Sequence, residues 1–251
     1  MDDHALAHRL ADRAGARLLA LRERPDVLDV GAAGDRSSHE YIAAQLATAR
    51  PDDAVLSEEA ADDRARLAAD RVWIVDPLDG TREYGEPGRT DWAVHIALWE
   101  RGELVAGAVG LPAQGRVLST AVPTVLSGTD CANGHPIRIA VSRSRAPRQA
   151  IRLAELVGGQ LMSLGSAGAK VAAVVLGEVE AYVHAGGQYE WDSAAPVAVA
   201  RAAGLHTSRI DGSPLRYNQP DPSLPDLLVC RAELAESLLD GLARVDGRSA
   251  G

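Results

Sequence analysis

Arg71-Val72-Trp73-Ile74-Val75-Asp76-Pro77-Leu78-Asp79-Gly80-Thr81 is the stretch on which the fold turns. Its first five residues form an apolar run rich in β-formers, which predicts a buried strand delivering Asp76 at its end. Pro77 fixes its own φ and biases a turn, so Asp76 and Asp79 can converge on one side of it. Gly80 lets a ligand approach the backbone closely. Thr81 offers a hydroxyl and an amide where the next segment begins. Two carboxylates with oxygen-only neighbours suit hard cations such as Mg²⁺ and not zinc. A lone Asp-Pro-x-Asp is more often only a capped turn; the six-residue run after a strand is far more specific.

Upstream, Leu6, Leu10, Ala14, Leu18 and Leu21 recur at helical spacing and predict an amphipathic helix over about 3–24. A second helix is predicted over 37–49, stopped by Pro51. Ala54-Val55-Leu56 then reads as a short strand ending in Ser57-Glu58-Glu59. Downstream, 92–99 and 104–111 flank Glu100-Arg101-Gly102-Glu103 as a hairpin, with a further strand at 117–120. The stretch 123–136 is rich in Thr, Gly, Asn and Pro and reads as a junction. It would divide residues 1–122, an N-terminal α+β half carrying the main metal site, from residues 137–251. In that second, α/β half, strands at 137–141, 161–164, 181–184, near 205 and at 227–230 alternate with helices at 148–157, 168–176, 192–203 and 232–245. Such alternation implies layered α/β architecture.

The 251 residues carry 46% hydrophobic and 24% charged side chains, as an ordinary globular protein does. The first twenty residues mix acids and bases among the apolar positions, unlike a signal peptide, and no apolar run reaches membrane-spanning length. Two cysteines without metal spacing, Cys131 and Cys230, fit a reducing cytoplasm. The net charge of −9 disfavours nucleic-acid polymers, which bind basic surfaces. It leaves room for a small phosphorylated metabolite whose charge bound cations meet. Of the 26 basic residues 25 are arginine, so the single lysine, Lys170, marks a place where a compact point charge is wanted.

Taken singly, the remaining acids have ordinary readings. Glu58-Glu59 could be a solvated strand end, Asp192 the N-cap of the helix at 192–203, and Asp35 the cap of the second helix. Together they resemble a known family. Ser57-Glu58-Glu59, Trp73 to Thr81, Gly165-Ser166-Ala167 and Trp191-Asp192-Ser193-Ala194-Ala195 occur in the order and approximate spacing of the inositol monophosphatase superfamily. Within it, Thr81-Arg82-Glu83-Tyr84 is similar to the version found in CysQ-type 3′(2′),5′-bisphosphate nucleotidases, actinobacterial members above all. The resemblance runs from about Asp35 to Cys230.

What the resemblance implies is an αβαβα layered sandwich, the inositol monophosphatase or sugar phosphatase-like fold. Glu58, Asp76, Asp79, Asp192 and the carbonyl of Leu78 would hold two or three Mg²⁺ ions. Thr81, hydrogen-bonded to Asp35 and assisted by Glu58, would activate a water that attacks phosphorus directly. The amides of Gly80 and Thr81 would cradle the phosphate, with Arg82 and Ser166 as further substrate contacts. His184 stands near where inositol-specific members carry an acid, so His184 and Lys170 are expected to meet a second phosphate. The implied reaction is removal of the 3′-phosphate of adenosine 3′,5′-bisphosphate to give AMP, linked to sulfate assimilation. The sulfated analogue 3′-phosphoadenosine 5′-phosphosulfate is a second candidate substrate. The enzyme would be lithium-sensitive, cytoplasmic, and a monomer or homodimer. An inositol-1-phosphate or fructose-1,6-bisphosphate phosphatase of the same superfamily is the alternative. A haloacid-dehalogenase phosphatase is rejected, because it needs one residue and not two between its aspartates.

Overall fold

The computed structural model describes residues 1–126 and 135–247. Most of the junction predicted at 123–136, and Cys131 within it, lies outside the described residues.

The predicted strand is β2 (Arg71–Asp79), buried at every position after Arg71. It extends through Pro77 and does not end at Asp76. Before it come α1 (Asp3–Arg22), α2 (Val30–Ala49) and β1 (Ala54–Ser57). After it come the single turn α3 (Thr81–Gly85) and β3 (Ala93–Glu100), β4 (Glu103–Leu111) and β5 (Arg116–Ser119). These strands make one sheet in the order β1-β2-β3-β4-β5, parallel between β1 and β2 and antiparallel thereafter.

The second sheet has the order β7-β6-β8-β10-β9. Its strands are β6 (Arg138–Ser142), β7 (Gln160–Leu164), β8 (Ala181–Tyr189), β9 (His206–Ser208) and β10 (Ser223–Cys230). The helices interleaved with them are α4 (Arg148–Val157), α5 (Ala167–Val175), α6 (Glu190–Ala202) and α7 (Ala235–Val245).

Five layers result. α1 and α2 cover the outer face of the first sheet, and α4 covers the outer face of the second with α7 packed on it. α5 and α6 fill the space between the sheets, touching β2, β3 and β4 on one side and β6, β8 and β10 on the other. The αβαβα sandwich expected from the resemblance is therefore what the chain forms. Sequence explains the middle layer. All nine residues of α5, Ala-Gly-Ala-Lys-Val-Ala-Ala-Val-Val, are buried, and a helix without a polar face belongs in an interior. The central core draws Leu56, Ile74 and Val109 from the first half and Val171, Tyr182 and Leu227 from the second.

Two expectations are corrected. The second helix starts at Val30, seven residues before the predicted 37, and its cap is Asp29, whose Oδ1 accepts the Ala32 amide at 3.0 Å. Asp35 is an interior residue of that helix and caps nothing. Gly31 and Gly34 made the segment look like a loop, but both are buried where the helix presses on α3. A Cβ at 31 would lie 2.9 Å from Thr81 Cγ2, and one at 34 would lie 2.8 Å from Tyr84 Cε1. Asp192 is likewise no N-cap. It is the third residue of α6, and its Oδ2 accepts the backbone N–H of Tyr189 at 2.6 Å, a reach back to the residue before the helix.

Candidate active site

In a regular strand, residues three apart point to opposite faces. Asp76 and Asp79 escape that rule because β2 bulges between them: Asp76 pairs with His95 and Asp79 with Ala93, three residues against two. Pro77 is the reason, since it has no N–H to give the ladder. Asp76 Oδ1 accepts the Leu78 amide at 3.0 Å, and Ser38 Oγ donates to the Pro77 carbonyl at 2.7 Å, so the bulge is held from within and from α2. Gly80 then turns the chain with φ +85°, in the left-handed region. A Cβ there would also meet Ser166 Cβ at 2.9 Å.

Asp79 is 7% exposed and its Oδ2 accepts the Gly168 amide at 2.7 Å. His95, fully buried on β3, places Nε2 3.1 Å from that same oxygen and Nδ1 3.1 Å from the Trp191 carbonyl. Burial pushes Asp79 upward, but the His95 charge and hydrogen bond and the Gly168 amide overcome it and hold the carboxyl low. Asp76 lies well above the ordinary carboxylate range, raised first by burial and then by Asp79, Glu58 and Asp192. Glu58 is exposed along its length, yet its carboxyl is desolvated beside Asp192 and rises to about 7. Asp192 rises to about 6 from burial and then from Asp79.

Thr81 Oγ lies 3.4 Å from Asp35 Oδ2 and 3.2 Å from the Leu78 carbonyl. The α2 correction explains this meeting: Asp35 stands one helical turn after Gly31, whose missing side chain lets Thr81 in. Burial, then the charge of Glu59, lifts Asp35 to about 6.

The structure brings together Asp35, Glu58, Asp76, Leu78, Asp79, Thr81 and Asp192. It does not bring Lys170 or His184 to an open surface as cations. Lys170 is 4% exposed, its Nζ donates to the Gly165 carbonyl at 2.5 Å, and it lies 5.3 Å from the Tyr182 ring centre. Burial, then Lys170, pushes His184 down to about 4, so it is neutral near pH 7. Ser166 is 3% exposed and spends its hydroxyl on capping α5, accepting the Ala169 amide at 3.0 Å.

Arg82 is exposed at the rim of a hollow of about 250 Å³, lined also by Gly80, Thr81, Ser142, Arg143 and Ser144. Arg143 is bound to Glu83 and Glu86, each at 2.8 Å. Sequence reasoning missed Arg143, and it missed His95 above all. The available signal was the hairpin register, which sets the one histidine of an apolar strand opposite Asp76.

Crowded acids that raise one another need protons or a cation. The nearest oxygens of Asp76 and Asp79 and a His95 nitrogen lie within 4.8 Å of one another. His95 Nε2 is not open to an ion, because Gly168 stands so close that a Cβ there would lie 2.2 Å from it. The donors left are oxygens, which fit a hard divalent cation. A five-layer α/β sandwich around such a cluster suits the class of metal-dependent hydrolases.

Known proteins agree. The model of the inositol monophosphatase family matches residues 10–243, and the chain belongs to that family. It is 58% identical over 221 residues to the 3′-phosphoadenosine 5′-phosphate phosphatase of Mycobacterium tuberculosis, covering 85% of this chain and 82% of that one. Identity to the protein of the same name from Mycobacterium leprae is 51%, over 98% of this chain and 95% of that one. Among solved structures, CysQ from Bacteroides thetaiotaomicron, a bacterial member of the same family, superposes with a TM-score of 0.74 at 29% identity, covering 91% and 97% of the two chains.

Proposed function

We propose that the chain is a Mg²⁺-dependent 3′-phosphatase that converts adenosine 3′,5′-bisphosphate to AMP in the cytoplasm, clearing a by-product of sulfate assimilation. The observation that carries the reading is the convergence of Glu58, Asp76, Asp79 and Asp192 beside the Thr81–Asp35 pair. The homologues named for this activity support it at 51–58% identity.

Glu58, Asp76, Asp79, Asp192 and the Leu78 carbonyl would hold the ions. Bound there, Mg²⁺ supplies charge neutralisation of the phosphate and acidification of water. Thr81 Oγ, 3.4 Å from Asp35 Oδ2, donates to that carboxylate and accepts from the attacking water, which aligns the water and gives its proton a destination. Asp35, lifted to about 6, is basic enough to take that proton near neutral pH. Glu58 assists from β1, and the amides of Gly80 and Thr81 face the phosphate. The second phosphate falls to the hollow beside Thr81, where Arg82 makes no ion pair among the described residues and Ser142 and Ser144 offer hydroxyls. Lys170 is better read as an internal counter-charge for Asp79 and Asp192.

The experiment is product identification. Adenosine 3′,5′-bisphosphate with the protein and Mg²⁺ should give AMP and phosphate, less in Li⁺ than in Na⁺ at equal ionic strength. Formation of adenosine 3′-phosphate, or undiminished release in excess EDTA, would overturn the reading.

A further inference from the structure

All nine tryptophan and tyrosine rings of the chain are described, and Tyr189 alone is exposed, at 49%. Its ring stacks on Trp191 with centroids 4.7 Å apart and planes 12° from parallel. The stack sits on the metal cluster's own scaffold. The Tyr189 amide donates to Asp192 Oδ2 at 2.6 Å, and the Trp191 carbonyl faces His95 Nδ1 at 3.1 Å. Just before it in β8, Gly186 and Gly187 carry no side chains, and a Cβ on either would meet nothing within 4 Å.

A tyrosine held flat by a tryptophan beneath it has lost most of its rotamer freedom before any ligand arrives. It presents its other face as the next step of a stack. Aromatic rings prefer offset-parallel partners, and bases stack on such platforms without needing hydrogen-bond readout. We infer that Tyr189, backed by Trp191, is the platform for the aromatic base of a nucleotide whose 3′-phosphate lies at the carboxylates. The inference rests on the nucleotidase reading and adds the site that tells a nucleotide from a sugar phosphate. The fold supplies the link: Tyr189 stands three residues before Asp192, and its amide is bonded to that carboxylate, so the ring and the ligand are carried by one turn.

The test compares AMP with ribose 5-phosphate as competitive inhibitors, since the two differ only by the base. In Tyr189→Ala the Ki of AMP should rise about 5- to 150-fold relative to that of ribose 5-phosphate, the range found for removing a stacked aromatic. The KM for adenosine 3′,5′-bisphosphate should rise with it, and Tyr189→Phe should restore the parent ratio. An unchanged ratio in Tyr189→Ala, or equal weakening of both inhibitors, overturns the platform. If the parent itself does not favour the adenosine bisphosphate over inositol 1-phosphate, the nucleotidase reading fails instead, whatever Tyr189 does.

Discussion

Asp79 keeps Oδ2 on the Gly168 amide and beside His95, while Oδ1 carries neither contact and is left for a cation. Held in this way, the carboxylate cannot swing to relieve crowding by Asp76 and Asp192. Such outer contacts orient a metal ligand in advance, and disturbing them ordinarily costs roughly 10–100-fold in affinity or activity. Asp79→Asn keeps the shape and the Gly168 bond but removes the charge. It should leave the thermal transition of the metal-free protein in place while lowering turnover by at least about 10²-fold, the scale of one preorganised electrostatic element. Near-parent phosphate release from this variant would contradict the assignment. Asp76 and Asp79 were legible as a pair from six residues of sequence. His95 was not, because a lone histidine in an apolar strand gains meaning only when the register sets it against Asp76.

Among the elements, the body of β2, the hairpin and α4 were readable because their signals are local, alternation and turn residues, whereas the turn expected at Pro77 is a bulge inside the strand. α2 was misread at its start because its glycines serve contacts from a distant segment. α5 shows the same limit from the other side. Its lysine was visible as an oddity, but its burial depends on a helix lying between two sheets. Gly168 within α5 offers a direct check. Alanine is the better helix former by about 1 kcal/mol, yet its Cβ would lie 2.2 Å from His95 Nε2 and 2.8 Å from Ala93 Cβ. Overpacking of about 3 kcal/mol should win, for a net loss on the order of 2 kcal/mol. In a chain this size that lowers Tm by about 4–8 °C. Gly85→Ala, in a helix where a Cβ meets no described atom within 4 Å, should not lower Tm, and by the same helix preference should raise it by up to about 2–4 °C. Equal melting of the two variants would show that the His95 contact is not tight.

For the molecule as a whole, the carboxylate cluster ties stability to pH and metal. Asp35, Glu58 and Asp192 titrate near 6, 7 and 6 in the fold, against ordinary values of 3.8, 4.5 and 3.8. Between about pH 4 and pH 7 these three groups therefore hold more protons in the folded chain than in the unfolded one. The stability these groups contribute is full below that window and is lost as pH rises through it. A divalent cation replaces those protons, so the gain in Tm on adding Mg²⁺ should be larger at about pH 8 than at about pH 5.5. A gain that is the same at both, or larger in acid, would mean the ion binds elsewhere. The layered architecture was legible in the alternation of strands and helices, and no described helix is long and apolar enough to cross a membrane.

Substrate choice was the least legible feature, because pockets are built by loops from different layers. Arg82 follows β2, whereas Ser142 ends β6 and Ser144 lies just beyond it. The most direct measurement is kcat/KM for adenosine 3′,5′-bisphosphate beside that for inositol 1-phosphate, in the same Mg²⁺ buffer. A second phosphate met by a charge-assisted hydrogen bond should favour the adenosine compound by about 10-fold or more. A preference for inositol 1-phosphate would contradict the reading and make the chain a sugar-phosphate phosphatase of the same family.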